Sequence, residues 1–519
     1  MSRRSVAALI VVVAFSFIGC SKKCKVGDTS DCWIKALKDP EQAEAAVDNL
    51  RQLGDKAAEP ALIEAFQNAT EQPELREKIA EIFNKWQTQS AVKPLLDAID
   101  FTVGPNKEGK KAKRTNRANE KIASALGALG DLSAGAPLLR LMDTTKEPTV
   151  QRAAIRALAK LKYKDAVDEL IKRADNESTS QPDRVLRINA LFALGEIGDP
   201  KAIPTLIKAL FREKSGDFFH AALSLVKIGD LAIEPLIKTM NGENQDVLPM
   251  VEQPPGTLET KAAKVLGDIG NDKVVGDLLQ LAEKIQKWEF EPVRNQAMSG
   301  VIVALGALRD KRGLPLIQKY LHKDLWDLRS ICANALNLIG DRSYVPELLK
   351  LSFSNEQPRT RTPLIEAIGN LGTDEWLPQL TARERIERDP EIVAALKDTI
   401  KRLTAYAECK QNATCWIAKL SDTVPAVREK AVYELGRLGD QQAVDPLLKI
   451  IADESENVRF ALIYAFDKLK SRKAIEPIEE LVETEKGSPR FNVADFNYQI
   501  LTARLSRTAL PETASSPVR

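Results

Sequence analysis

The sequence has little of the chemistry on which most metal and acid–base sites depend. Histidine occurs only twice in 519 residues, and aromatic residues make up 5% of the chain. Two histidines leave little room for a histidine-rich metal site or for histidine-based catalysis. The net charge is also small, because 75 lysines and arginines face 73 aspartates and glutamates. A dedicated nucleic-acid-binding protein normally carries a clear basic excess, so this composition predicts no nucleic-acid partner.

The sequence also lacks the short motifs that accompany common catalytic sites. It contains no His-Glu-x-x-His, no phosphate-cradling glycine loop and no Gly-x-Ser-x-Gly. Neighbouring carboxylates are frequent, but 29% of the residues are charged, so such pairs arise by chance. We interpret the two histidines, His220 and His322, as structural or surface residues. The sequence therefore predicts a protein without catalytic residues, without a metal site and without a cofactor.

Long hydrophobic runs are absent beyond the N-terminal segment. This segment carries Arg3 and Arg4, then an apolar run over residues 6–18, and then Gly19. A basic start, a short apolar run and a small residue are the layout of a secretory signal peptide. The run is too short to span a bilayer, which takes about 20 apolar residues. We predict that residues 1–19 are a signal peptide and that the rest of the chain is exported.

The end of this segment carries a second signal. Phe17-Ile18-Gly19-Cys20 resembles a bacterial lipobox, although phenylalanine stands where leucine is more usual. The resemblance implies lipid attachment at Cys20 once residues 1–19 are removed, and Ser21 implies passage to the outer membrane. An ordinary cleaved signal peptide is the alternative. Several acyl chains would anchor the protein stably, since each buried methylene contributes about 0.8 kcal/mol. Removing residues 1–19 takes away two arginines and no acid, which leaves 73 charges of each sign.

The chain contains six cysteines, and four of them form two local pairs. The six are Cys20, Cys24, Cys32, Cys332, Cys409 and Cys415. Cys32 and Cys415 are both followed by Trp-Ile, which marks the two pairs as copies of one motif. We predict disulfides 24–32 and 409–415, each fixing the start of a helix, because disulfides persist outside the cytoplasm. A metal site is the alternative, but neither histidine lies near a pair. Cys332 is interpreted as a small buried residue, with a reactive thiol as the alternative.

One phrase recurs along the chain: Ala-x-x-x-Leu-x-x-Leu/Ile-Gly-Asp, followed by alanine, proline and an apolar run. Clear copies end at Gly54-Asp55, Gly130-Asp131, Gly198-Asp199, Gly229-Asp230, Gly340-Asp341 and Gly439-Asp440. Worn copies pass through 162–163, 270–271, 309–310 and 372–373. Gly198 and Gly229 are among the most closely spaced copies. A repeat of roughly 30 residues is the signature of a solenoid or another repeat architecture.

Counting back from the glycine places apolar residues on one face of a helix. Positions −4 and −1 are leucine or isoleucine in ten copies, and position −8 is mostly alanine. These offsets share a helix face. The glycine suits the left-handed residue that often follows a helix, and the later proline suits the first turn of a second helix. Each unit is therefore predicted as a helix, a Gly-Asp turn and a proline-started helix.

This pattern resembles the short form of the HEAT repeat, which also occurs in bilin lyases. The resemblance implies an all-α fold, an α-solenoid of about 13 HEAT-like helical pairs. One pair cannot bury its own apolar face, but stacked pairs can. After the signal peptide we expect a lipidated, cysteine-containing segment over 20–32 and a HEAT array over 33–408. A second array over 409–505 is expected to continue the first, and a flexible tail is expected over 506–519.

Recurrent arginines and one basic segment add further expectations. The arginines early in the first helices are Arg76, Arg187, Arg294, Arg329, Arg428 and Arg459. By resemblance to HEAT arrays, they are expected to form a ladder with the turn aspartates; an arginine-lined binding surface is the alternative. Asp324, Asp422 and Asp453 are candidate helix N-caps. Residues 102–117 carry six basic residues and one acid. We expect a solvated loop there, with a contact to an anionic surface or a partner as the alternative.

Together these features predict a non-catalytic scaffold for protein–protein interaction, held by its lipid in the bacterial cell envelope. We expect an outer-membrane lipoprotein that faces the periplasm or the cell surface and binds a protein partner through residues not yet assigned. A purely structural envelope protein is one alternative. A HEAT-type lyase or isomerase acting on a bilin-like ligand is another. The His-Glu pairs of metal-binding HEAT hydroxylases are missing, since Ala221 follows His220 and Lys323 follows His322.

Overall fold

The fold is a stack of α-helices, as the repeat predicts. The computed structural model describes residues 23–102, 109–212, 216–251, 256–323, 325–354, 357–484 and 494–508. These residues form α-helices and short 3-10 helices and contain no strand. The chain divides into two compact units, Met1–Ala157 and Leu158–Arg519. The predicted signal peptide and Cys20 lie outside the described residues.

The first unit begins with a short helix and continues in pairs. Its helices are α1 Ser30–Ala36, α2 Ala43–Leu53, α3 Glu59–Asn68, α4 Pro73–Trp86, α5 Val92–Asp97, α6 Lys110–Leu129, α7 Gly135–Thr144 and α8 Pro148–Lys160. The boundary between the units falls inside α8.

The second unit repeats the same arrangement over a longer stretch. Its helices are α9 Val167–Ala174, α10 Gln181–Ile197, α11 Ile203–Leu210, α12 Asp217–Ile228, α13 Ile233–Met240, α14 Thr257–Ile269, α15 Val275–Gln286, α16 Glu291–Leu308, α17 Leu314–Leu321, α18 Trp326–Ile339, α19 Val345–Ser352, α20 Pro358–Leu371, α21 Leu377–Ile386, α22 Pro390–Cys409, α23 Ala413–Lys419, α24 Pro425–Leu438, α25 Val444–Leu448, α26 Glu456–Leu469, α27 Ile475–Thr484 and α28 Ala494–Thr508. Across the described residues, consecutive helices from α2 to α27 make thirteen pairs, which confirms the predicted repeat number.

The turn within each pair has the left-handed backbone that the glycine predicts. Gly54, Gly130, Gly198, Gly270, Gly340 and Gly439 have φ between 67° and 81°. Worn copies keep the conformation without glycine, as at Arg309 with φ of 56°. Gly372 is an exception, because its φ is −66° and its backbone is extended. The backbone conformation of the turn is therefore conserved between repeats more strictly than its glycine is.

The residue after the glycine caps a short 3-10 helix. The side chains of Asp55, Asp199, Asp341 and Asp440 accept a hydrogen bond from the backbone N–H two residues later. The next helix then begins with proline in its first turn, as at Pro204 in α11. The Gly-Asp pair and the proline that follows after four or five residues thus contain the local signals for ending one helix and starting the next.

Burial follows the predicted helix face, with one departure. All ten residues at position −4, from Leu50 to Leu435, are fully buried, and so are the small residues at position −8. Position −1 is less protected, and Leu53 is 49% exposed. The core therefore depends on positions −4 and −8, while position −1 lies at the edge of the layer.

Four first helices of the second unit approach the next first helix closely through a small residue at position −3. In the second unit this residue is glycine at Gly195, Gly267, Gly306 and Gly436. A Cβ atom on these glycines would lie 2.6 to 2.9 Å from the Cα atom of Ser224, Ala304, Ala335 or Ala465 in the next first helix. Any larger residue would push the two helices apart.

The predicted boundaries near residue 409 and at residue 506 fall within helical regions of the structure. Residues on both sides of 409 pack together, since α24 contacts both α20 and α22. The division into arrays 33–408 and 409–505 stays a prediction. Helix α28 continues to Thr508, past the predicted start of the tail, and 509–519 lie outside the described residues. Within the described part of the chain, none of the helices combines the length and hydropathy needed to cross a membrane.

Candidate functional site

The structure joins Cys24 to Cys32 and Cys409 to Cys415. The Cα–Cα distances are 6.0 and 5.3 Å. Cys32 lies in the first turn of α1, and Cys415 lies in the first turn of α23, so each bond fixes the start of a short helix. The tryptophan that follows each of these cysteines is buried. The two copies of the motif are therefore alike in structure as well as in sequence.

The described residues offer little for metal binding or for thiol and imidazole chemistry. Only Cys24, Asp28 and Cys32 are spaced to hold an ion, and the two sulfur atoms are bonded to each other. Burial raises the pKa of Cys332 to about 12, although Arg329 opposes this, so the thiol is an inert core residue at neutral pH. His322 Nε2 lies 2.9 Å from Glu347 Oε1 on the surface.

The recurrent arginines are structural, but they do not contact the turn aspartates. Arg329 donates to the carbonyl oxygens of Leu321 and Lys323, in the segment that leads into its own helix. Arg187 and Arg428 also pair with an acid early in the next repeat, Asp217 and Asp453, at 2.9 and 2.7 Å. The expected ladder with the Gly-Asp turns is wrong in its partners, because those aspartates cap the 3-10 helices. The proposed cap at Asp324 lies outside the described residues.

The basic segment is helical rather than a loop from Lys110 onward. Four ion pairs connect α6 to α4, and we call them the exposed ladder: Lys111–Glu71, Arg114–Glu74, Arg117–Glu77 and Lys121–Glu81. Their N–O distances lie between 2.5 and 2.8 Å. The acids lie in α4 and the turn before it, so the preceding repeat pairs with three of the six basic residues of the segment.

The second unit contains a cavity of about 490 Å³. Its wall comes from α14, α16, α18 and α20 in the middle of the unit and from α24, α26 and α28 near its end. These groups meet because the chain returns on itself. Arg507 Nη2 donates to the carbonyl oxygen of Ile269 at 2.9 Å, and the rings of Phe219 and Phe496 lie 5.1 Å apart. All the described lining residues belong to first helices or their turns, so this row forms the inner face.

Most charges on the cavity wall are paired with each other. Asp467 Oδ2 lies 2.6 Å from Arg309 Nη1 and 3.2 Å from Arg504 Nη2. Burial opposes ionisation of this carboxyl, but the two arginines hold its pKa below the ordinary value. Glu429 Oε2 accepts from Arg402 Nη2 at 2.6 Å. These pairs join α16, α22, α24, α26 and α28 across the cavity.

A second set of charges lies beside the cavity, where α24 packs on α20; we call it the buried network. Lys430 is fully buried, and its Nζ donates to the carbonyl oxygens of Asn370 and Gly372 and pairs with Glu434 at 3.0 Å. Glu434 also binds Arg342 and Arg437. Burial lowers the pKa of Lys430 to about 7, while three cations overcome burial and lower the pKa of Glu434. The bond from Lys430 accounts for the extended backbone of Gly372.

Two acceptors on the cavity wall have no donor among the described residues. No described side chain donates to Glu366 or pairs with it, and its side chain is exposed on the cavity wall. Partial desolvation by the neighbouring protein raises the pKa of its carboxyl, the charge of Glu429 adds to the rise, and Arg402 opposes it. Asn370, one turn later on α20, donates Nδ2 to Glu429 at 2.8 Å. Its Oδ1 is buried without a hydrogen bond. The wall therefore offers two acceptors without a donor in the described part of the chain, while Arg309 pairs with a carboxylate and leaves its buried Nε without a hydrogen-bond partner.

Sequence reasoning missed these residues, although the repeat register contains them. Relative to the glycine of each turn, Asn334, Glu366, Tyr433 and Tyr464 all stand at position −6. Asp268, Asn337, Asn370 and Asp467 stand at −2 or −3. Both sets lie on the helix face opposite −4 and −8. Polar residues at these offsets in successive repeats are the signal that could have found the cavity.

Comparison with protein families supports the repeat assignment. The family of HEAT repeats matches residues 116–181, 178–253 and 415–494. The PBS lyase HEAT-like repeat matches residues 42–68.

Individual relatives are distant. Deoxyhypusine hydroxylase of Neurospora crassa is 26% identical over 244 residues, which cover 40% of this chain and 74% of that protein. The bilin biosynthesis protein PecE of Mastigocladus laminosus is 29% identical over 163 residues, 30% of this chain. The chain spans about half of PecE, 55% of its length.

Among solved structures, the Kap95:Nup1 complex aligns over 89% of this chain and 69% of the matched chain. Sequence identity is 11% and the TM-score is 0.48. The repeated helical pairs, their turns and the matched family together identify the chain as a HEAT-repeat protein.

Proposed function

We propose that this chain is a non-catalytic protein-interaction scaffold, tethered in the bacterial cell envelope by lipid on Cys20 and destined for the outer membrane. The signal-like N-terminus and the lipobox-like residues 17–20 support the address. The two disulfides are consistent with an oxidising compartment. HEAT repeats support the scaffold role, because stacked pairs expose a long surface for partners.

The observation that carries the scaffold role is a pair of exposed leucines at one repeat position. Leu132 and Leu231 stand two residues after the turn glycine and are 64% and 59% exposed. Most sister repeats carry charged or polar residues there: Lys56, Lys164, Asp272, Lys311, Arg342, Gln441 and Arg472; Pro200 is also apolar. Leucine in solvent, where most repeats carry a polar residue, makes each of these two turns a candidate contact for a partner.

Photo-crosslinking in the living bacterium tests this role. A photoreactive residue replaces Leu132, Leu231 or Lys164 in the full chain, and crosslinked products are identified by mass spectrometry. We expect discrete products from the two leucine positions and none from Lys164, which has the same place in its repeat. If no position gives a discrete product, the scaffold proposal fails and the purely structural role is favoured.

Metabolic labelling with an alkyne fatty acid tests the tether separately. The wild-type chain should be labelled and recovered with outer membranes. Cys20→Ser should lose the label and leave the membrane fraction. Membrane recovery of unlabelled Cys20→Ser would refute the lipid tether while leaving the scaffold role intact.

The cavity and the similarity to PecE favour a second candidate function, a lyase or isomerase acting on a bilin-like ligand. The cavity holds carboxylates, tyrosines and asparagines that could bind a polar ligand of this kind. Purified protein mixed with a linear tetrapyrrole tests it. A shifted absorption spectrum that Glu366→Gln abolishes would support this candidate, and an unchanged spectrum would exclude it.

A further inference from the structure

The cavity in the second unit has one carboxylate, that of Glu366, that forms no ion pair with a described residue. Asp467 is paired with Arg309 and Arg504, and Glu429 with Arg402. A third acid on the wall, Asp268, pairs with Lys264 at 2.8 Å. Glu366 lines the same wall with no ion pair within the described residues. The Glu366 side chain is exposed to solvent on this wall, so a cation can reach its carboxylate and would stabilise the ionised form.

A buried amide oxygen lies on the same side of the same helix. Asn370 is only 5% exposed, and its Oδ1 atom has no hydrogen-bond donor. It follows Glu366 by four residues on α20, so the two side chains are neighbours on one helix face. The amide cannot simply flip, because its Nδ2 already donates to Glu429. An unsatisfied buried acceptor is rare and calls for a missing donor.

The missing partner is therefore a donor that carries positive charge. An ammonium group has three N–H donors and can bind a carboxylate and an amide oxygen together. An anion would meet only guanidinium groups that acids already occupy. A cavity of about 490 Å³ is the size of a site for a small organic molecule. Phe460, Tyr433 and Tyr464 add aromatic surface for the apolar part of such a ligand.

We propose that this cavity binds a small free organic amine as its ammonium ion, with Glu366 as counter-ion and Asn370 Oδ1 as second acceptor. This goes beyond the scaffold role, which does not depend on a small ligand. Binding of the cation would also favour the ionised form of Glu366, whose pKa the surrounding protein raises in the empty cavity.

Titration calorimetry and thermal unfolding of the full chain test the proposal. The probes are 1-aminobutane, 1,4-diaminobutane, 1-butanol and butyrate, at constant ionic strength and pH 7.5. We expect the amines to bind and to raise the melting temperature, and we expect no effect of the alcohol or the acid. A lysine-containing peptide, tested in parallel, separates a free amine from the side chain of a protein partner.

Two matched variants locate the site. Glu366→Gln keeps the shape and removes the charge, and it should weaken amine binding at least tenfold. Glu408→Gln removes a charge near the C-terminal end of α22, outside the cavity wall, and it should bind as the wild type does. The proposal fails if neither amine binds the wild type, if Glu366→Gln binds them unchanged, or if only the peptide binds. None of these failures affects the crosslinking test of the scaffold.

Discussion

The two units use charged residues in opposite ways. In the first unit, the exposed ladder connects α4 to α6 in solvent, and both ends of Lys111–Glu71 are nearly four-fifths exposed. In the second unit, the buried network holds α24 against α20 and includes the fully buried Lys430. Both sets join helices from different repeats with N–O distances near 3 Å.

This difference shows that distance alone does not tell what an ion pair contributes. Water already solvates most partners of the exposed ladder, so these pairs contribute about 0–1 kcal/mol each and are screened by salt. The exception is Glu77, which is largely buried. The charged groups of the buried network lost their hydration on folding, so each now depends on its partners in the network for stabilisation. The ladder can be edited one residue at a time, whereas removing one member of the network leaves several charges without compensation.

Breaking the network should give the largest effect. Glu434→Ala removes the one acid that Arg342, Lys430 and Arg437 share. We expect the free energy of unfolding to fall by about 3–5 kcal/mol, the typical cost of uncompensated buried charge. Urea unfolding followed by circular dichroism measures this. Glu81→Ala, which removes an acid from the exposed ladder, is the matched control. A loss below about 1 kcal/mol for Glu434→Ala, no more than a solvated pair contributes, would refute the contrast between the two units.

The pH dependence of stability should sharpen the contrast. Burial lowers the folded-state pKa of Lys430 to about 7, against an ordinary value near 10.5. Between these values the unfolded chain binds more protons, so stability should rise with pH, by about 2 kcal/mol from pH 7 to pH 9. Above pH 9 the rise should fade, because burial holds Cys332 protonated up to about pH 12 while the unfolded thiol ionises.

Unfolding of the wild type and of Lys430→Met across this pH range isolates the effect. The variant has no ammonium to deprotonate, so its stability should change less than that of the wild type between pH 7 and pH 9. Parallel curves for the two proteins would mean that Lys430 stays charged throughout, with its three acceptors outweighing burial.

The two disulfides extend the comparison to covalent bonds. They close loops of similar length, so each should contribute roughly 2–3 kcal/mol through the unfolded state. Cys409 is almost fully buried, and the adjoining Trp416 packs near Tyr406, whose hydroxyl accepts from Arg342 of the buried network. We expect Cys409→Ser/Cys415→Ser to lower the protection of α24 in hydrogen exchange. Cys24→Ser/Cys32→Ser should change only α1 and α2, and spread of its effect through the first unit would contradict this.

Much of the fold was predictable because the same packing and turn requirements recur in every repeat, so the sequence shows each of them many times. Ten copies of position −4 report one buried layer, and an exposed residue at another position, such as Leu53 at −1, does not obscure it. The turn glycine was predictable for the same reason, and Arg309 keeps the turn conformation without it. The local cysteine pairs needed only their neighbours in sequence.

The cavity and both charge arrangements were harder, because they depend on residues far apart in the chain. Lys111 looks like part of a basic loop until Glu71 of the preceding repeat is placed beside it. Arg342 and Glu434 are separated by 92 residues, and Arg507 and Ile269 by 238. Repeat spacing alone does not report the accumulated rotation that brings such residues together. Position −6 could have indicated an inner face, but not which repeats face one another.

Weakening the exposed ladder should give the smallest effect and so completes the comparison. Lys111→Ala removes a pair whose two side chains are both well solvated, and we expect a loss of at most about 0.5 kcal/mol in low salt. Adding 1 M sodium chloride should remove even this difference, because the screening length then falls to about 3 Å. Arg117→Ala is the informative control. Its partner Glu77 is largely buried, so we expect this variant to lose more stability than Lys111→Ala does. Lys111→Ala could instead lose as much free energy of unfolding as Arg117→Ala, with the loss unchanged in 1 M salt. The ladder would then be a cooperative network, and exposure would not distinguish the two units.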